Sequence, residues 1–243
     1  MRGGKGPPLL FLHGAGGAGV WLPVMKTLSE RYDVIVPDHP GFGRSDKPEW
    51  LDDISDLAFF YLDFLEALDL DDVHLIGHSL GGWLAAEIAI RSTERLRTLI
   101  LVGAAGLHIS GVPKGDIFLW APEERVRNLF VDQRFAELRL AQPLTEEQVD
   151  TALKNELATA DLAWNPRFHH PRVRKWIHRI DVPALIVWGD SDKIFPARYG
   201  EEYHRLIKGS RLAVLPACGH LPHVEKADAF ADLFTRFVEE DAP

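Results

Sequence analysis

Val73-His74-Leu75-Ile76-Gly77-His78-Ser79-Leu80-Gly81-Gly82 decides how this chain is read. The apolar run Val73–Ile76 has the make-up of a buried strand, and a helical pattern, Leu80 to Arg91, starts directly after Ser79. A serine forced into so tight a strand-to-helix turn presents its Oγ outward, and only glycine-sized neighbours let the backbone approach itself that closely. The helix that follows aims its N-terminus at the same place, where developing negative charge is favoured. As five residues, Gly77 to Gly81 could arise by chance. Between a strand and a helix, with partners downstream, the pattern is specific, and a merely structural serine in a Gly-rich turn is the weaker reading.

Outward from this turn, short apolar runs recur at Leu9–Leu12, Val34–Val36, Thr98–Val102, Leu185–Trp188 and Leu212–Leu215. They are nearly continuous rather than alternating, as strands of a parallel sheet buried on both faces are. Between them Trp21 to Arg31, Ser55 to Leu68, Ala197 to Ile207 and Lys226 to Glu239 carry apolar residues at three- and four-residue spacing. Alternating strands and helices predict a parallel sheet of about six strands with helices on both faces. From Leu107 to Ile180 the rhythm breaks: helical stretches are punctuated by Pro113, Pro122, Pro143, Pro166 and Pro171. That interval is too long for a crossover. It predicts a helical cap, residues 107–180, inserted into a core of residues 1–106 and 181–243.

Composition narrows the classes. A chain of 243 residues, 46% apolar and 26% charged, can bury a sizeable core as one ordinary domain. Its formal charge of −9 leaves no basic surplus for phosphates, so a nucleic-acid partner is not expected. The single cysteine, Cys218, excludes an internal disulfide and a multi-thiolate metal site. Met1 to Pro8 have no signal-peptide core and no apolar run reaches membrane-spanning length, so a cytoplasmic protein without a membrane span is expected.

A serine nucleophile needs a base, and the base needs an orienting acid. In a fold with this elbow the chain order is serine, acid, histidine. After the run ending at Trp188 comes Gly189-Asp190-Ser191-Asp192-Lys193-Ile194-Phe195-Pro196, and after the run ending at Leu215 comes Pro216-Ala217-Cys218-Gly219-His220. Ends of parallel strands converge, so both loops fall beside Ser79. Asp190 and Asp192 are both candidates for the acid. Of eleven histidines, His220 holds the position after the last strand, whereas His13, His78 and His223 read as loop or elbow packing. His220, His223 and Glu225 lack the frame of a metal site, and no metal or cofactor is expected. Cys218 reads as a buried packing thiol. His13-Gly14-Ala15-Gly16-Gly17 follows the first strand and would lay amides beside the elbow; Ala15 and Leu80 N–H are the expected oxyanion donors. No Lys-Ser/Thr follows this glycine run, which argues against a phosphate cradle.

At this point the residues resemble the α/β-hydrolase superfamily, in its capped esterase and carbon–carbon hydrolase branch. The resemblance runs through Leu12-His13-Gly14, Pro37-Asp38-His39-Pro40-Gly41-Phe42-Gly43-Arg44-Ser45-Asp46, Gly77–Gly82, Trp188–Pro196 and Gly219–His220. Relatives pattern the acid loop as Gly-x-x-Asp-x-x-x-Pro, which aligns Gly189, Asp192 and Pro196 and implies Asp192. Similar dehalogenases and epoxide hydrolases have Asp where this chain has Ser79. Carbon–carbon hydrolases typically have Gly-Pro-Gly after the His-Gly and Asn before the serine; here Gly16-Gly17-Ala18 and His78 stand there. Relatives also carry two strands before the His-Gly segment. With only Met1 to Pro8 in that place, Val34–Val36 is expected to be an open edge through which the chain forms a homodimer.

The resemblance implies hydrolysis of a small carboxylic ester with an apolar acyl group through an acyl-enzyme. Cap aromatics Phe118, Trp120, Phe130, Phe135, Trp164 and Phe168 are the candidate pocket lining. The alternatives are a carbon–carbon hydrolase of meta-cleavage products, with Arg172 or Arg174 for the substrate carboxylate, and a ligand receptor that retains the triad.

Overall fold

Successive side chains of a strand face opposite sides of its sheet, and in this chain both sides are apolar. The computed structural model describes residues 1–240. Its sheet has seven strands: β1 (Arg2–Gly3), β2 (Pro8–Leu12), β3 (Asp33–Ile35), β4 (Val73–His78), β5 (Leu96–Val102), β6 (Ala184–Gly189) and β7 (Arg211–Leu215), in the order β1-β3-β2-β4-β5-β6-β7. Every pair is parallel except β1 with β3. All residues of β4 and β6 are buried, which is why no polar alternation marks them in the sequence.

The alternation divides the core in two. Leu10, Leu12, Leu75, Leu99, Leu101, Ile186 and Trp188 face α2 (Ile54–Ala67), α3 (Leu80–Arg91) and α8 (Arg198–Leu206). Leu9, Phe11, Ile76, Ile100, Val102, Leu185 and Val187 face α1 (Pro23–Leu28) and α10 (Ala227–Glu240), which contribute Val24, Met25, Leu28, Phe230, Phe234 and Phe237. The fold is the expected α/β-hydrolase arrangement.

The edge differs from expectation. Arg2 and Gly3 pair with Ile35 and Val34, and Met1 and Val36 exchange backbone hydrogen bonds of 2.6 and 2.8 Å. Arg2 also bridges Asp33 at 2.5 Å. Val34–Val36 is therefore not an open edge, and dimerisation through it loses its physical reason: the groups that would recruit a second copy already have partners. The new edge is two residues long, a poor template for pairing. An Arg-Gly pair carries no hydrophobic pattern, so nothing in the sequence marks it as a strand.

Between β5 and β6 the elements are helical: α4 (Pro122–Asn128), α5 (Gln133–Leu140), α6 (Glu146–Ala163), α7 (Pro171–Trp176) and a 3₁₀ turn, Ile177–Arg179. The chain departs at Gly106 and returns beside it: Gly106 N–H donates to the Phe168 carbonyl and His170 N–H to that of Gly106, at 3.0 and 3.1 Å. Val173 and Ile177 then join the core face that α3 covers. Among the described residues no helix is long and apolar enough to cross a membrane.

Candidate active site

Ser79 sits at φ 55° and ψ −114°, a conformation few non-glycine residues adopt. Its neighbours explain how the turn is held. A Cβ on Gly77 would run into the Gly81 carbonyl oxygen, and one on Gly81 into the carbonyl oxygens of Leu12 and His13. Three backbone bonds fix the serine: its N–H donates to Val102 O at 2.9 Å, and its carbonyl accepts from Trp83 and Ala105 N–H at 3.1 and 3.0 Å. Its Oγ has no hydrogen-bond partner among the described residues; in unliganded sites such contacts commonly tighten only with substrate.

The two downstream loops meet as their positions after β6 and β7 require. His220 Nδ1 lies 2.8 Å from Asp192 Oδ2, and the side chains are 2% and 0% exposed. Asp192 Oδ1 accepts from Ile194 and Phe195 N–H at 2.8 and 2.9 Å, so the carboxylate is oriented before the histidine reaches it. A Cβ on Gly103 would lie 3.2 Å from His220 Nδ1, which places the imidazole against the residue after Val102, the same Val102 that accepts from Ser79. Asp190 takes a different part. It accepts from Ala217 and Cys218 N–H at 3.1 and 3.3 Å, tying the acid loop to the histidine loop. Burial pushes the Cys218 thiol up to about 12, so it stays protonated and a poor nucleophile.

The loop after β2 lies against the elbow: a Cβ on Gly14 would come within 3.1 Å of Ser79 Cβ. Leu80 opens α3, and its N–H has no partner within the helix. The loop residue Gly14, which precedes Ala15, and Leu80, which follows Ser79, thus border the serine from different elements. With Asp192 accepting from Nδ1, the other imidazole nitrogen is left as acceptor for a hydroxyl proton, and the arrangement can activate an alcohol oxygen beside two backbone amides.

His13, His78 and His223 are buried, as packing histidines are. His78 Nε2 donates to the His220 carbonyl at 3.1 Å, and the His223 ring lies tilted against His78 with centroids 4.5 Å apart. Desolvation pushes His13 down to about 4 and His223 to about 3, and holds His78 well below its ordinary 6.5. A depressed folded pKa keeps these rings neutral while the unfolded chain takes up protons. Stability is therefore complete above pH about 6.5 and is lost as pH falls toward 4, by at most about 1.4 kcal/mol per pH unit for each histidine. Melting temperature followed from pH 7 to 5 is expected to fall, and a His223→Phe variant to fall less steeply. An unchanged melting temperature across that range would contradict this account.

The candidate lining residues are dispersed unevenly. Phe168 is buried, stacks on Phe118 with centroids 5.2 Å apart, and meets Phe195 at 6.2 Å; Phe195 lies 5.7 Å from His220. Phe130 is buried, stacks on Phe135, and belongs to the segment whose Leu129 carbonyl accepts from His220 N–H at 2.8 Å. Trp120 packs on the core, whereas Trp164 is 53% exposed with the Arg167 guanidinium 4.0 Å over its ring. Arg174 pairs with Glu202 at 2.5 Å. Arg172 lines a recess of about 430 Å³ with Phe59, Trp176 and Arg179, away from the serine, acid and histidine. Neither arginine meets the serine.

Two polar side chains take parts that the sequence reading does not assign to them. Glu225, in α9 (Pro222–Glu225), accepts from Gly219 N–H at 2.6 Å and from Val131 and Asp132 N–H at 2.8 and 2.5 Å, fastening the histidine loop to the insertion. Asn155, in α6, reaches the loop after β2. Glu225 is close enough to His220 in sequence to draw notice; Asn155, 139 residues from Gly16, gives no local signal.

A family model described as the alpha/beta hydrolase family matches residues 9–233. The chain is 31% identical to a 2-hydroxy-6-oxo-2,4-heptadienoate hydrolase of Pseudomonas putida over 97% of this chain and 90% of the relative. Among solved structures it is similar to a membrane phospholipase A, at 26% identity and a TM-score of 0.81, covering 99% of this chain and 81% of that one. It is similar also to a meta-cleavage product hydrolase of Pseudomonas fluorescens, at 25% identity and a TM-score of 0.77, covering 100% and 94%. Since the family match begins in β2, ends in α10 and takes in the elbow together with both downstream loops, the chain belongs to the alpha/beta hydrolase family.

Proposed function

We propose that this hydrolase cleaves small carboxylic esters through an acyl-enzyme, with Ser79 as nucleophile, His220 as base and Asp192 as the orienting acid. The observation that carries the reading is the buried 2.8 Å Asp192–His220 bond at strand ends that border a strained serine elbow. Ser79 Oγ adds to the acyl carbon as its proton passes to His220 Nε2, and the Ala15 and Leu80 amides hold the oxyanion. The intermediate expels the alcohol, which leaves with that proton. A water then adds to the acyl-serine, gives its proton to His220, and the acid departs as Ser79 recovers its hydrogen. No cofactor takes part.

The insertion, residues 107–180, acts in this reading as a cap, supported by the contacts of α6 with the loop after β2 and of Leu129 with the histidine loop. An apolar acyl group is supported most directly by the run Phe118–Phe168–Phe195–His220, and by Phe130 beside the histidine loop. Trp164 meets Phe118 edge-on at 5.2 Å and Phe135 stacks on Phe130 at 5.6 Å, so both flank these rings, while Trp120 packs on the core.

Carbon–carbon hydrolysis is the second reading, favoured by the names of two relatives, the 2-hydroxy-6-oxo-2,4-heptadienoate hydrolase and the meta-cleavage product hydrolase. It requires a cation for the substrate carboxylate, and the two expected arginines are engaged elsewhere or turned to the outer recess. Turnover of a short p-nitrophenyl ester, measured beside a dienoate meta-cleavage product, separates the two. The ester is expected to react faster. Preference for the dienoate would replace the ester reading, and single-turnover acylation without release would replace both with a receptor.

A further inference from the structure

The loop that carries Ala15 contains Gly14, Gly16 and Gly17; its own bonds hold the Gly14 carbonyl, which accepts from His13 Nδ1 at 2.7 Å and Gly17 N–H at 3.1 Å, and leave the Ala15 and Gly16 carbonyls to other segments. Nothing would lie within 4 Å of a Cβ on Gly16. Glycine-rich backbone has many accessible conformations, so an amide held to a fraction of an ångström there needs an external partner. The partner comes from the insertion. Asn155 Nδ2 donates to the Gly16 carbonyl at 3.0 Å, and Asn155 Oδ1 accepts from Gly43 N–H at 2.8 Å. One turn on, Thr159 Oγ1 lies 3.4 Å from the Ala15 carbonyl, and one residue before, Lys154 Nζ donates to the Gly43 and Ser45 carbonyls at 2.9 and 2.8 Å.

Asn155 is 4% exposed, and its amide matches donor to carbonyl and acceptor to N–H only in this orientation. A Cβ on Gly17 would run into that amide, so the loop and α6 are in contact and not merely near. We propose that Asn155 is a positioning residue that holds the Ala15 amide in register beside Ser79, so that the oxyanion donor is in place only when α6 is seated. The role rests on the ester-hydrolase reading above, since it is Ala15 N–H that gives it a catalytic consequence. The insertion then does more than cover the acyl group. A cap that lifts carries Asn155 away and leaves the loop held only at the Gly14 carbonyl, with the Ala15–Gly16 peptide able to turn.

Asn155→Ala removes both bonds. Its kcat is expected to fall roughly 30- to 100-fold, the scale of an ångström of misplacement. KM should stay within about threefold, since ground-state contacts are untouched. Affinity for a trifluoromethyl ketone, which adds to Ser79 and leaves an oxyanion, should fall by the same factor as kcat/KM. Asn155→Asp keeps the acceptor for Gly43 and loses the donor to Gly16, so it should lose as much as alanine. Being the same size, it carries the measurement should the alanine variant not fold.

A merely structural Asn155 would lower the melting temperature and leave kcat and ketone affinity of the folded enzyme near those of the parent; that result overturns the proposal. An active Asn155→Asp beside an inactive Asn155→Ala overturns it as well, by assigning the effect to Gly43. Hydrogen exchange of residues 14–17 is the readout that needs no substrate, and should quicken at least about tenfold in Asn155→Ala. Should the parent neither turn over esters nor take a fluorophosphonate at Ser79, the ester reading has failed. The exchange experiment still decides whether Asn155 holds the loop, and unchanged exchange ends that role.

Discussion

Ser79→Ala is expected to lower ester turnover by about four to six orders of magnitude while the protein keeps its fold. The size of the effect comes from removing the only atom that bonds to the acyl carbon; oxyanion donors and substrate binding then act on a water that is neither tethered nor aligned. The intact fold follows from the site's geometry. Ser79 Oγ has no hydrogen-bond partner among the described residues to lose, and the three bonds that fix the turn all involve its backbone. Alanine inherits the same strained φ, so the unfolding free energy should stay within the range of an innocuous substitution, about ±0.5 kcal/mol. Turnover and circular dichroism on the same preparation check both halves. Retained activity in a contaminant-free preparation would end the Ser79 assignment.

Asp192→Asn is expected to lower kcat by about three to four orders of magnitude, with Asp190→Asn nearly silent in kcat. The two aspartates are two residues apart and chemically alike, and their partners separate them. An asparagine at position 192 would keep its oxygen on the Ile194 and Phe195 amides, where Asp192 Oδ1 accepts at 2.8 and 2.9 Å, and turn its NH2 toward His220 Nδ1. Nδ1 would then have to accept, the ring proton would move to Nε2, and the base would have no lone pair for the serine. At position 190 the two carboxylate oxygens meet backbone only, Oδ2 the Ala217 N–H and Oδ1 the Cys218 N–H; an asparagine keeps one of these bonds and loses the other, which costs stability but leaves the partner of His220 untouched. Burst and steady-state kinetics of the two variants check the assignment. Equal losses, or a larger one at position 190, would transfer the acid role.

What could be read from the order of residues was whatever neighbouring residues impose on one another. Apolar runs of three to five residues, glycines two residues to either side of a serine, and helical spacing between strands are local signals, and they led to the parallel sheet, the elbow at Ser79 and the strand-end positions of Asp192 and His220. The interval without strands was legible for the same reason, as an absence of one pattern and the persistence of another. Three things depended on contacts between distant segments. Arg2–Gly3 closes the sheet edge through pairing with Val34 and Ile35, and two residues carry no period to detect. Asp190 and Asp192 differ by which loop backs onto each, a distinction made in space by Cys218 and His220. Asn155 and Glu225 each join the insertion to a loop of the core. A hydrogen bond across 139 residues leaves no periodicity behind, because its partner is backbone and any residue supplies the same carbonyl. Burial and pairing of such groups are properties of the folded chain alone.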